Sequence, residues 1–287
     1  MMMSGGRRGH SLRGFLECFF CRLRFAFCGC GVLDAVRIFF AALFASVPNL
    51  FVEKLGFLEH VRGLGDRIVS GARVRVGECV FHAVDVGSLL IVSDDFERWM
   101  WDLVCLGDGG VFVDVGAHVG KYAVQVAKRF PHAKVVAVEA CPSTFSVLAK
   151  NVRVNGLNNV VLYNVAAWNG FGEVRLKVGR SVDYNSVVFD VGERFYTVPA
   201  APLDLLLEDV GRIDFVKVDV EGAELMVLEG MRDSIARWRP KVVVEVKDGP
   251  GKLWKCFPPG YGMVNVAPEY YMLQAPDGKV YPGQKRE

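Results

Sequence analysis

The sequence predicts an α/β fold: a doubly wound, mostly parallel sheet preceded by an apolar helical extension. Three observations carry this expectation. Short apolar runs recur at Val111–Val115, Val135–Val138, Val160–Tyr163, Ile213–Val218 and Val242–Val246, each of strand length. Helical segments alternate with them: 119–130, closed by Pro131; 142–155, opened by Pro142 and stopped at Asn155-Gly156; and 222–238, ended before Pro240. Hydrophobic residues make up 52% of the 287-residue chain, enough for a sizeable core and too many for disorder.

The chain before the first of these strands reads differently. Residues 1–14 are polar and basic, and residues 15–52 are strongly apolar. Arg22, Arg24, Asp34 and Arg37 interrupt the apolar run, so no charge-free stretch reaches the ~20 residues of a membrane span. They also argue against a secretory leader. Helices packed on the domain are one expectation, and an amphipathic helix on a membrane surface is the sharper one. Alternating runs at 73–76 and 79–84, punctuated by Gly71, Gly77 and Gly87, predict a small antiparallel hairpin. Asp94-Asp95 is then placed to cap a helix carrying Phe96, Trp99, Met100, Leu103 and Val104. The expected organisation is a 1–60 extension, a 61–107 lead-in and a 108–287 domain. Residues 171–200, rich in Gly and Val, predict inserted hairpins, and 261–274 a terminal strand pair.

Composition narrows the function classes. With 34 Lys and Arg against 32 Asp and Glu, the net charge is +2, which calls for no nucleic-acid partner. Of eight cysteines, Cys18, Cys21, Cys28 and Cys30 fall in the first thirty residues. Their neighbours are phenylalanines rather than the polar turns of a zinc knuckle, so they read as small hydrophobes. The remaining thiols read as reduced, consistent with a cytoplasmic protein.

The strongest local signal is Asp114-Val115-Gly116-Ala117-His118-Val119-Gly120, a buried strand, a glycine turn and a helix start. Ligands of open α/β sheets bind at such strand ends. Gly116 and Gly120 permit close backbone approach, and the helix N-terminus offers N–H groups to an anion. A dinucleotide site asks for Gly where Asp114 stands, and no G-x-x-x-x-G-K-[ST] loop is present. A carboxylate there repels a pyrophosphate and attracts an ammonium. S-adenosyl-L-methionine, with an ammonium, a carboxylate and a sulfonium but no phosphate, fits better than NAD. Glu139, ending the second strand, lies where an acid binds ribose hydroxyls. Asn164, ending the third, is placed to reach an adenine, with Ala166 and Ala167 leaving room for its face. The fourth strand ends in Asp219-Val220-Glu221-Gly222. Those acids could serve as general base or bind a metal, or simply cap the next helix. Glu245 closes the fifth strand; with Asp219 it could hold Mg²⁺, or it could pair with Lys217 or Lys247. No metal ligand is assigned.

With these motifs in hand, the chain resembles the FkbM family of methyltransferases over roughly residues 95–275. The resemblance rests on Asp114 through Tyr122, Glu139 with Pro142, Asn151, Asn155-Gly156, Asn164 with Ala166, and Leu203-Asp204. It rests further on Lys217-Val218-Asp219-Val220-Glu221-Gly222-Ala223-Glu224, the most characteristic block, and on Glu245. It implies a seven-stranded, Rossmann-like methyltransferase sheet with the last strand antiparallel, and O-methylation of natural-product or saccharide hydroxyls. Carried over by motif, Asp114, Gly116, Gly120 and Glu139 would hold the cofactor; His118, in the same turn, and Asn164 with Ala166, beside the adenine, complete the expected cofactor site. Asp219 and Glu221 would face the reaction centre. The family usually has Asn where His118 stands, and its Glu-Pro pair is here Glu139-Ala140. An RNA or protein methyltransferase is the main rival. The Asn/Asp-Pro-Pro-Tyr/Phe motif of amino-group methylators and a basic, aromatic stripe are both missing. A non-catalytic cofactor-binding module, or an NAD enzyme, is the other class.

Overall fold

The structure is a computed structural model, and it describes residues 28–45, 58–178, 194–247 and 249–276. Two compact units divide the chain at 93/94, inside the segment the sequence reads as a lead-in. The apolar run at 15–27, with Cys18 and Cys21, lies outside the described residues.

The first unit holds helices α1 (Val32–Ala45) and α2 (Leu58–Val69), strands β1 (Arg73–Val76) and β2 (Cys79–His82), and helix α3 (Val86–Ile91). The strands form the expected antiparallel hairpin, with Val76 opposite Cys79. Asp85 and Ser88 close a capping box at the start of α3. Arg37 of α1 donates through Nε to the Ile68 carbonyl at 2.8 Å, tying the two longer helices together. On α1, Val32, Leu33, Val36 and Phe40 are exposed, while Ile38 and Ala41 are buried.

The second unit is built on a seven-stranded sheet of order β11-β12-β10-β9-β3-β4-β5. In chain order these are β3 (Val111–Val115), β4 (Lys134–Val138), β5 (Val160–Tyr163), β9 (Phe215–Val218), β10 (Lys241–Glu245), β11 (Gly262–Ala267) and β12 (Tyr270–Gln274). Neighbours among the first five pair in parallel, and β12 runs antiparallel to both β10 and β11. The chain winds outward from β3 through β4 to β5, then returns to β9 on the other side of β3. The order therefore reverses between β3 and β9, the place where open α/β sheets bind ligands. β3 and β9 are buried at every position, as strands covered on both faces must be. Phe112 and Phe215, neighbours in register, stack at 5.5 Å in the interior.

Helix α4 (Lys121–Arg129) follows β3, and α5 (Pro142–Val154) follows β4 with Pro142 in its first turn. Asn159 clamps the end of α4: its Nδ2 donates to the carbonyls of Ala127, Phe130 and Ala133. A second sheet is formed by β6 (Ala166–Ala167), β7 (Gly172–Val178) and β8 (Arg194–Ala201); β7 and β8 are the inserted hairpin the sequence predicts. Residues 179–193 between them are outside the described set.

Two expectations are corrected. The helix placed over Phe96–Val104 is only a 3-10 turn at Arg98–Asp102, because Glu97 adopts a left-handed conformation (φ 48°) where an α-helix would have begun. The long helix expected at 222–238 is two, α7 (Glu224–Glu229) and α8 (Arg232–Trp238). A new start is built between them. Asp204, on the one-turn helix α6 (Leu203–Leu206), accepts the Ser234 and Asp233 N–H groups at 2.7 and 3.1 Å, and its own N–H donates to the Gly230 carbonyl.

Gly230 sits at this break for a steric reason. A Cβ there would lie 2.0 Å from the Trp168 carbonyl oxygen. Gly230→Ala is expected to cost about 1–3 kcal/mol, the scale of overpacking. Gly211→Ala meets nothing within 4 Å and serves as the control. Thermal unfolding should separate the two; equal midpoints would show that the backbone yields at the break.

Candidate active site

The register of the sheet gathers the polar residues. Asp114 of β3 lies beside Lys217 of β9, which lies beside Val243 of β10. Two positions further, Gly116 follows the end of β3, Asp219 follows the end of β9, and Glu245 pairs with Tyr270. Because side chains two apart share a face, Asp114, Lys217 and Glu245 belong to one face at the carboxyl ends of the parallel strands, and the Lys217 ion pair brings Asp219 to it.

Gly116 is required by the protein itself. Its φ is +77°, and a Cβ would stand 1.8 Å from the Asp219 carbonyl oxygen. The close approach foreseen for a ligand is thus made first by the neighbouring strand end. His118, also left-handed (φ 54°), donates its backbone N–H to Glu139 Oε2 at 2.9 Å. The other Glu139 oxygen accepts the Cys141 N–H at 2.9 Å, so this carboxylate at the end of β4 fixes the loop after β3. Gly120 caps α4 in a left-handed conformation and no side chain at that position bonds the helix. Asp114 takes that role from inside the strand, Oδ2 accepting the Ala123 N–H at 3.0 Å. Asn164 donates Nδ2 to the carbonyls of Glu139 and Ala140, holding the chain after β4. Ala166 is buried in β6 against β8.

Asp219 is not a helix cap: α7 begins only at Glu224, behind Ala223. Its Oδ2 forms an ion pair with Lys217 Nζ at 2.8 Å. Strand geometry ends at Val218 and Glu221 is left-handed (φ 52°), yet one carboxylate oxygen each of Asp219, Glu221 and Glu245 lies within 4.8 Å of the others. Their charge is met inside the protein. Lys217 pairs with Asp219, Lys247 with Glu221, and the Glu245 carboxyl is hydrogen-bonded to Asp219. Glu224 steadies the turn by accepting the Gly222 N–H at 2.7 Å.

Burial sets the protonation of these groups. It pushes Asp114 up to about 6, against the pull of the Lys217 ammonium. It pushes Glu139 up to about 7, against its two backbone hydrogen bonds. Glu245 is raised to about 9 by burial and by the adjacent Asp219 charge, so it keeps its proton at neutral pH. Burial would also raise Asp219, but the Lys217 ammonium and the Glu245 hydrogen bond outweigh it and hold Asp219 below the usual range. Asp219 and Glu245 thus divide one proton unequally, as adjacent carboxyls do.

Sequence reasoning missed one residue of this site. Glu97 accepts hydrogen bonds from the Tyr122 hydroxyl at 2.5 Å and from the Tyr270 hydroxyl. Trp99 packs on Tyr270 at 4.9 Å and Trp101 on Tyr122 at 5.4 Å. Lys121, buried and lowered to about 8 by that burial, donates to the Phe96 carbonyl. The segment 96–101 is therefore fastened to the start of α4 and to β12. Glu97 and Tyr270 are 173 positions apart, and no local pattern announces their contact.

Known proteins supply the family. A model of the methyltransferase FkbM domain matches residues 114–270. Methyltransferase 1 of Beauveria bassiana is 26% identical over 174 residues, 53% of this chain and 70% of that protein. Methyltransferase sdnD of Sordaria araneosa is 27% identical over 195 residues, 56% of this chain and 75% of that protein. The crystal structure of methyltransferase FkbM from Methylobacillus flagellatus is similar over 90% of this chain with 16% identity and a TM-score of 0.47, and this chain spans 58% of its length. The family model runs from the acid of the β3 turn to the tyrosine opposite Glu245 and covers more than half of the sequence, so the chain belongs to the FkbM methyltransferases.

Proposed function

We propose that the chain transfers a methyl group from S-adenosyl-L-methionine to a hydroxyl oxygen of a saccharide, lipid or other small molecule. The observation that carries the reading is the packing of Gly116 against Asp219 at the sheet's switch point, which sets the Asp219, Glu221 and Glu245 carboxyl groups beside the glycine turn. The residues present fit the cofactor. Asp114 Oδ1 is buried and accepts no hydrogen bond among the described residues, an unmet acceptor suited to a cationic group. Glu139 holds each oxygen in place with one backbone N–H, leaving further acceptor capacity for ribose hydroxyls. Asn164 and Ala166 support the same region by fixing the backbone after β4 and β5.

When bound, the cofactor supplies an electrophilic methyl on a positive sulfur. The chain's part is to hold the acceptor oxygen in line, which accounts for much of such catalysis. Asp219 accepts the hydrogen bond of the acceptor hydroxyl and takes its proton. An oxygen gaining a third bond becomes far more acidic than a carboxylic acid, so a carboxylate of low basicity suffices. Protonated Glu245 keeps the Asp219 charge localised, and Glu221, held by Lys247, supports the turn beside it.

We also infer a peripheral membrane contact through residues 15–52, on a cytoplasmic protein. Among the described residues no helix is long and apolar enough to cross a membrane. The exposed Val32, Leu33, Val36 and Phe40 on α1 support a surface contact. Flotation of the full chain with lipid vesicles should be reduced by Leu33→Glu with Phe40→Glu. Equal flotation of both proteins, or none of either, overturns the inference.

For the methyl donor, calorimetry should show binding of S-adenosylhomocysteine and none of NAD. Glu139→Ala should weaken that binding by ~1.5–3 kcal/mol, the scale of hydrogen bonds to a charged group. Incubation with methyl-labelled donor should place label in saccharide or lipid extracts and leave RNA extracts unlabelled. Unchanged affinity in folded Glu139→Ala rejects the ribose contact, and label confined to RNA rejects the acceptor class.

A further inference from the structure

Lys217 occupies the centre of the polar face. It is the third residue of β9, flanked in register by Asp114 and Val243, and its side chain is only 4% exposed. A buried ammonium in mid-strand is costly unless something fixes it there. Two contacts do. Nζ lies 2.8 Å from Asp219 Oδ2 and 5.1 Å from the centre of the Tyr122 ring. Tyr122 is anchored in turn by Glu97. Burial alone would lower Lys217, but the carboxylates of Asp219, Glu97 and Asp114 raise it well above its ordinary value, so the ammonium is permanent.

We propose that Lys217 is a positioning residue, whose buried ammonium holds the Asp219 carboxylate in its charged form and in a single orientation at the reaction centre. The inference rests on the reading of Asp219 as proton acceptor. Lys217 reaches Asp219, the first residue past the end of β9, and the salt bridge ties Oδ2 to the sheet interior. Asp219 presents its charge at the edge, where its side chain is 25% exposed. The other groups facing it are Glu245 from β10, Asp114 from β3, His118 from the loop after β3, Tyr122 from α4 and Glu224 from α7. Glu221 with Lys247, Tyr270 and Glu139 stand around these. Apart from His118 and Lys247, these groups are acidic or phenolic. Without Lys217, burial and carboxylate repulsion would both favour protonated Asp219, which can accept no proton.

The test reads Asp219 directly and needs neither acceptor nor turnover, so it separates this inference from the proposed reaction. In full-length protein labelled with ¹³C at aspartate carboxyls, Asp219→Asn identifies the Asp219 resonance. In the native chain that resonance should titrate below the ordinary aspartate range. In Lys217→Met, which keeps an apolar stem of similar length, its midpoint should rise by about 1–3 pH units, the effect of removing an adjacent opposite charge. Lys217→Arg, which keeps the charge, should bring it back toward the native value. A native Asp219 that titrates at or above the ordinary range overturns the proposal without reference to any variant. So does an unmoved midpoint in Lys217→Met.

Discussion

The site depends on how closely β3 and β9 approach at their carboxyl ends. At the switch point the backbone of Gly116 lies against the Asp219 carbonyl, with no space for even one side-chain carbon. That constraint fixes the turn after β3 relative to the acids after β9. Asp219 leaves β9 at this point, and Glu245 at the end of β10 stands opposite Tyr270 of β12 beside it. The turn is then held from the other side by Glu139, whose two oxygens accept N–H groups from His118 and Cys141. The glycine turn and the acid cluster are thus one construction rather than two neighbouring motifs, as positioning two reactants would demand.

Within that frame the charges are arranged by burial and by pairing. Asp114, Glu139 and Glu245 are raised by desolvation, while Asp219 alone among these four is held low by its ammonium partner. One carboxylate therefore stays ionised among groups that readily take protons. Environments that push like groups apart mark acid and base roles. Segment 96–101 closes the arrangement through Glu97, which links the start of α4 to the start of β12.

The sheet was legible because its strands are short, apolar and separated by helices with Pro and Gly at their ends. Val160–Tyr163 is a strand over those same residues, and Pro142 and Asn155-Gly156 bound α5 as expected. The reading failed where tertiary contacts override local preference. The apolar spacing of Phe96 to Val104 suits a helix, but Glu97 is drawn into a left-handed turn by two tyrosines from distant elements. The helix at 222–238 breaks because Asp204, far away in sequence, supplies a second cap. Site residues at strand ends were legible from position alone. What each one touches was not. Gly116 meets Asp219 before any ligand, Asn164 binds backbone carbonyls, and Lys217 is revealed only by its register beside Asp114.

The central claim is that Asp219 acts on the acceptor and leaves donor binding to the β3 turn and Glu139. It is tested most directly by Asp219→Asn, confirmed folded by circular dichroism, with donor affinity and methyl transfer measured on the same sample. Affinity for S-adenosylhomocysteine should stay within a few-fold of the native protein, while turnover falls by ~10²-fold or more, the range for loss of a general base. Native turnover by the folded variant would contradict the account and leave Asp219 a structural partner of Lys217.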